Sequence, residues 1–182
     1  FNRVNFSGTD FTNAKLNIQN VNIVINKTLN AYGGVLVKNA YDDTQTGTNN
    51  TIPIGDATIL NCNVSTTNST NPVKILNQGG GLFGARYGYG ATITITGCSN
   101  SLEIHGGTGS YTGNAGGICG FYAGHNGTLT ISNCTNLGAI GTGTETDTTT
   151  GIVTETGTEC GGICGGRAGA EGNLTISTCF NE

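Results

Sequence analysis

Charge is scarce in this 182-residue chain: Asp, Glu, Lys and Arg make up 10% of it, and the net charge is −4. No basic surface is therefore on offer to nucleic acid or to acidic lipid. No run of 18 apolar residues occurs, so no membrane span is expected. Helical periodicity with caps is missing throughout. Methionine and tryptophan are absent, and proline occurs twice. The chain starts at Phe1 rather than Met and shows no signal peptide, which reads as a processed chain or a fragment. What abounds is glycine, 32 residues of it, without collagen's strict triplet. Together with plentiful Thr and Asn, this fits a turn-rich β protein of one domain.

One stretch occurs three times, at Gly80–Asn100, Gly116–Asn136 and Gly161–Asn181. The copies align without a gap as GG-[LI]-[FC]-G-x3-G-x2-[GA]-x-[IL]-T-I-[ST]-x-C-x-N. A degenerate earlier copy runs from Gly33 to Cys62 with extra residues inside it. A repeat of this length marks a stacked architecture, because one unit cannot bury its own apolar face. Within each copy, TITIT, TLTIS and LTIS alternate polar and apolar residues, the mark of a strand with one buried face. Ile95, Ile131 and Ile176 align, as do Ile93, Leu129 and Leu174, and Leu82, Ile118 and Ile163. Glycines recur at fixed offsets where tight corners need them. The expectation is all-β: a parallel right-handed β-helix, or β-solenoid, of about four to five coils with protruding loops. Thr58, Thr94, Thr130 and Thr175 are expected to face outward in one row. Asn100, Asn136 and Asn181 are expected to stack at a corner, with Val64 in that place in the earlier copy.

The single domain 1–182 divides by sequence into a first coil (1–30), a degenerate coil with an insertion (31–78) and the three glycine-rich copies (79–182). In the first, Phe1, Phe6, Phe11, Leu16 and Val21 are spaced by five, with Val4, Thr9 and Ala14 two places ahead of three of them. Residues 1–21 thereby resemble the pentapeptide-repeat family. That resemblance implies a square right-handed coil with every fifth side chain inward. Val21–Ile25 reads as a buried strand, residues 38–54 as a surface loop, and Val73–Leu76 as a strand. Leu102 and Ile104, and then Ala139 and Ile140, read as a third strand in their coils. The rest of 137–160 reads as a protruding loop.

The segments Gly81-Leu82-Phe83-Gly84, Gly117-Ile118-Cys119-Gly120 and Gly162-Ile163-Cys164-Gly165 look like the GLUG repeat. The following TISxCxN segments are similar to those of bacterial and protist surface repeat proteins. The resemblance covers residues 79–182 and departs from the simplest motif at its cysteines. It implies an extracellular or cell-surface repeat protein of the adhesin type, and no particular activity.

Cys62, Cys98, Cys134 and Cys179 share one repeat position, Cys119 and Cys164 another, and Cys160 stands apart. Adjacent strands lie about 4.8 Å apart, within the Cα separation a disulfide tolerates. At least one bridge between repeat-equivalent cysteines is therefore expected, with a ladder of buried thiols as the alternative. Zinc lacks its further ligands beside Cys160-x3-Cys164, so neither metal nor cofactor is expected. Asn5, Asn26, Asn49, Asn63, Asn68, Asn126, Asn133 and Asn173 each begin an N-x-[ST] glycosylation sequon, although Asn- and Thr-rich chains produce several by chance. Asn133, beside Cys134, is expected to be the less accessible.

Catalysis needs acids, bases or nucleophiles gathered in one cleft. Asp42-Asp43, Glu145/Asp147 and Glu155/Glu159 read as solvated loop charges, and Glu103/His105 lacks a nucleophile. Arg86 and Arg167 share a repeat position that Tyr122 interrupts. No enzyme is expected. The leading expectation is an extracellular structural protein, a β-helical subunit of a surface filament or adhesin stalk, associating with itself head to tail. The alternative is a solenoid that binds surface glycans or ice on a flat Thr-rich face, whose best row is Thr92–Thr96.

Overall fold

A computed structural model describes residues 15–28, 33–37, 55–67, 73–76, 78–105, 114–141, 143–146, 153–156 and 160–182. These form β1 (Leu16–Gln19), β2 (Asn22–Val24), β3 (Ala57–Leu60), β4 (Asn63–Ser65), β5 (Lys74–Ile75), β6 (Thr92–Thr96), β7 (Ser99–Asn100) and β8 (Glu103–His105). They continue with β9 (Thr128–Ser132), β10 (Thr135–Asn136), β11 (Ile140–Gly141), β12 (Gly143–Thr146), β13 (Val153–Thr156), β14 (Asn173–Ser177) and β15 (Phe180–Asn181). Three parallel sheets run along the molecule, in the orders β1-β3-β6-β9-β14, β2-β4-β7-β10-β15 and β5-β8-β11. Five strands in each of the first two sheets make five stacked coils, so the chain is an all-β solenoid. A fourth line of contact joins the double-glycine segments through parallel bridges Val37–Phe83–Cys119–Cys164 and Gly80–Gly116–Gly161.

The period-two pattern dictates what each strand buries. Ile18, Ile59, Ile95, Ile131 and Ile176 pair in one register row, and Thr58, Thr94, Thr130 and Thr175 in the next. Ile59, Ile95 and Ile131 are fully buried while the threonines between them face out. Leu16 and Val21, five apart, both pack against the core; the earlier members of that spacing lie outside the described residues. The strand expected at Val21–Ile25 is present but belongs to an end coil: Ile23 is half-buried, and Val24 points away from the core and is 54% exposed. The insertion at 38–54 lies outside the described residues. Part of the second insert is not loop but an antiparallel hairpin of β12 with β13.

A corner beyond the expected one lies between the first and second sheets. One residue per coil turns left-handed between the first and second sheets: Asn20, Asn61, Gly97, Asn133 and Thr178, with φ of 51–65°. Asn and Gly tolerate that conformation, whereas a β-branched residue such as Thr178 pays for it sterically. Asn100, Asn136 and Asn181 end the strands of the second sheet and stack as expected, without left-handed backbone; the first two are completely buried where the chain bends on towards β8 and β11. Their amides need partners there, because an unpaired polar group in a core costs about 1–3 kcal/mol. Asn100 Nδ2 donates to Asn136 Oδ1 at 2.8 Å, and Asn136 Nδ2 to Asn181 Oδ1 at 2.7 Å. Nδ2 of each of the first two also donates to a backbone carbonyl two residues on, at Leu102 and Gly138. The second glycine of each pair makes room for this row: a Cβ on Gly81 or Gly117 would reach 2.7 or 2.6 Å from the Oδ1 of Asn100 or Asn136. Val64 precedes the asparagines as an apolar rung, as its sequence position implies, with Ile23 before it.

The core is wider at one level. Phe83 and Tyr87 stack at 4.7 Å between ring centroids, where later coils carry Cys119 and Ala123 or Cys164 and Ala168. The Tyr87 hydroxyl is buried without a hydrogen-bond partner among the described residues. Burial pushes its pKa up to about 12. Above the ordinary tyrosine value near 10, the folded state keeps a proton that the unfolded chain has released. Stability therefore falls as pH rises from about 10 to about 12. Tyr87→Phe removes both the orphan hydroxyl and this dependence. It is expected to raise the thermal midpoint at neutral pH by up to a few degrees and to flatten the alkaline decline. Thermal melts at pH 7 and pH 11 check this.

Candidate functional site

The sequence points to the cysteines first. All seven are free thiols, so the expected bridge between repeat-equivalent residues is not formed. The reason lies in strand geometry. Side chains at one register row project in parallel, so Cβ atoms stay about as far apart as the strands, near 4.8 Å, while a disulfide needs about 3.5–4.5 Å. Four of the thiols instead serve as weak donors at the corner. Cys62, Cys98, Cys134 and Cys179 donate at 3.3–3.4 Å to the carbonyls of Leu60, Thr96, Ser132 and Ser177, two residues earlier. Longer contacts of 3.7–3.9 Å run to Ile18, Ile59, Ile95 and Ile131 of the preceding coil. The second set, Cys119 and Cys164, pairs through a parallel bridge. Contact with Cys164, then burial, raises the Cys119 thiol; contact with Cys98, then burial, raises Cys134. Burial also raises Cys62 and Cys160. Raised thiols stay protonated and unreactive, which suits structural small hydrophobes; Cys98 is the exception, drawn down to about 7 by its contact with Cys134 against the opposing effect of burial. Among the described residues no three His, Cys, Asp or Glu side chains converge to hold a metal, and no helix is long and apolar enough to cross a membrane.

The sequons are spread along the solenoid. Asn26, Asn63, Asn126, Asn133 and Asn173 are exposed; Asn5, Asn49 and Asn68 lie outside the described residues. Asn133 occupies the left-handed corner and is open to solvent, contrary to its expected shielding. Asn63 is tied into an outer row, donating to Asn22 and accepting from Ser99.

The Thr face is in register as expected, yet regular over only part of its length. Thr92, Thr94 and Thr96 pair with Thr128, Thr130 and Ser132. Towards one end Asp56 and Leu60 replace threonines, and Asp56 Oδ1 accepts the Thr92 N–H at 2.9 Å. A shallow groove opens there between Lys15, Asn17, Asp56, Thr58, Thr92 and Thr94. At the other end Asn173 stands in the row.

Glu103 Oε1 meets His105 Nε2 at 2.9 Å, with His105 buried, on β8 between β5 and β11. Asp42 and Asp43 lie outside the described residues.

Two further features stand out. The last coil is open: Leu174 and Ile176 are 42% and 44% exposed, whereas Leu129 and Ile131 in the same rows are 0% exposed. Phe180 is 59% exposed beside them. The other feature is an edge built by the glycine-rich turns, where Arg86, Tyr122 and Arg167 share a row and Tyr89 and His125 share another. Sequence comparison of the copies finds the first row. It misses Tyr89, His125 and Glu171, because the copies differ there and alignment signals only what repeats.

The fold and these surfaces define a β-solenoid repeat protein. No known protein family, curated protein or solved structure matches the chain.

Proposed function

We propose that this chain is an extracellular structural element, a β-solenoid rod of a surface filament or adhesin stalk that lengthens by stacking a second copy head to tail on its last coil. The observation that carries the reading is the open coil. Leu174 and Ile176 continue the rows of the fully buried Leu129 and Ile131 and stand half in solvent. Leaving two such side chains half in water forgoes on the order of 1 kcal/mol each. The outer edge of β14 also offers unpaired backbone, which recruits another strand unless covered. Asn181 accepts from Asn136, and a further rung would extend this asparagine row. A head-to-tail contact of this kind extends without closing when its rotation does not form a ring. The likeness of the glycine motif to GLUG repeats supports a cell-surface setting.

Sedimentation over a wide concentration range tests this. The expected result is assembly that grows with concentration and is lost in Ile176→Lys, which places a charge in the stacking row. Cys179, half-exposed in the last coil, is expected to react with a thiol reagent in the single subunit and to be shielded on assembly. Buried Cys62, Cys98 and Cys134 stay protected in both states. A monomer at every concentration with Cys179 reactive throughout sinks the reading.

A further inference from the structure

Three glycine-rich turns, 85–91, 121–127 and 166–172, stack along one edge of the solenoid and carry side chains the repeat does not require. Arg86, Tyr122 and Arg167 occupy equivalent places and are all left-handed, with φ of 57°, 56° and 57°. Gly or Asn would hold that backbone at lower cost, and such strain gathers where side chains are put to use. The Tyr122 ring sits between the two guanidiniums, with Arg86 Cζ at 5.7 Å and Arg167 Cζ at 5.5 Å from its centroid. Arg167 also donates to the Tyr122 hydroxyl at 2.5 Å.

A second cluster adjoins the first. His125 lies 4.8 Å from the Tyr122 ring and 5.2 Å from the Tyr89 ring, centroid to centroid. With its amide oxygen turned to Tyr89, Asn126 accepts from that hydroxyl at 2.7 Å and donates to Glu171 Oε2 at 3.1 Å. His125 Nε2 is buried and makes no hydrogen bond among the described residues; Glu171 Oε2 is 3.4 Å away. Arg167, Asn126 and Glu171 are exposed, and the rings are half-buried.

We propose that this edge binds an acidic glycan. Rings set among planar polar groups offer both apolar contact and hydroxyl hydrogen bonding, the mixed character of a sugar. Both described arginines of a chain with net charge −4 lie here, and among the described residues Glu171 is the carboxylate that adjoins the cluster. A guanidinium matches a carboxylate by paired N–H donors, which a lysine does not. Arg86 and Arg167 stand two coils apart, about 9.6 Å along the axis by strand spacing. That separation suits an extended chain with repeated carboxylates better than one sugar. Tyr89, Asn126 and Glu171 then meet hydroxyls.

The test is retardation in native gels containing polygalacturonate or, as neutral control, dextran. The protein comes from a host that adds no N-glycans, because Asn126 begins a sequon and a glycan there would cover the edge. Polygalacturonate is expected to retard the chain and dextran not to. Arg167→Gln and Tyr122→Asn, the latter keeping a residue at ease with positive φ, each weaken the apparent affinity about ten-fold, as loss of one charge-assisted contact implies. Thr94→Val on the flat face leaves it unchanged, and thermal melts confirm that each variant is folded. No retardation, equal retardation by dextran, full retardation of both edge variants, or its loss in Thr94→Val overturns the proposal.

Discussion

Ile131→Asp is expected to leave the chain unfolded at room temperature. Ile131 is completely buried in β9, flanked in its row by Ile95 and Ile176. Its removal forfeits about 1.5–3 kcal/mol of apolar burial. The incoming carboxylate finds only apolar neighbours in that row, so it must either stay charged without a partner or take up a proton, at a cost of several kcal/mol more. Domain stabilities of about 5–15 kcal/mol leave little after such a loss. A solenoid loses more than one coil when a central rung fails, since each coil is held by its neighbours. Thr94→Ser, one residue from Ile95 on the outer face, changes stability by less than about 1 kcal/mol. Circular dichroism melts compare the two. Equal tolerance would mean that the inner and outer faces are assigned the wrong way round.

Gly117→Val is expected to be nearly as damaging, for a reason that has nothing to do with hydrophobicity. A Cβ at Gly117 falls on the Gly162 carbonyl oxygen of the next coil and comes 2.6 Å from Asn136 Oδ1. The first is backbone and cannot swing aside. The second belongs to the buried asparagine row, whose hydrogen bonds break if it shifts. Combined steric and polar losses of roughly 4 kcal/mol or more follow. Gly90→Ala is the comparison. A Cβ there meets nothing within 4 Å, although φ is +66°. Only the left-handed penalty of about 1–2 kcal/mol then applies. Chemical denaturation of the two variants ranks them; a Gly117→Val as stable as Gly90→Ala would show that the coils can separate locally without loss.

Much of this architecture is legible in the chain. Gapless copies make equivalent residues stack, and period-two alternation says which of them face inward. The rows of Ile95, of Leu129 and of Thr94 follow from those two facts alone. The corner was also legible and is easily misread. Asn61, Gly97 and Asn133 share the place just before a cysteine, and all are residue types at ease with positive φ. The more uniform asparagine two residues after that cysteine attracts attention first. Uniformity there reflects a buried hydrogen-bonded row at the turn out of the second sheet, where Asn100 Oδ1 accepts the Leu102 N–H.

Copy alignment by itself determines the strand faces and the register and bounds the coil count at about four to five, because stacking turns repetition along the chain into neighbourhood in space; the structure makes it five. Tertiary structure alone decides what the side chains do at each shared position. Parallel Cβ directions keep the cysteines apart as thiols, although their Cα spacing would suit a bridge. Depth decides that Asn100 and Asn136 are inside. The edge of Arg86, Tyr122, Arg167, Tyr89 and His125 arises where copies differ. Side chains from different coils meet there through packing, which no spacing within one copy records.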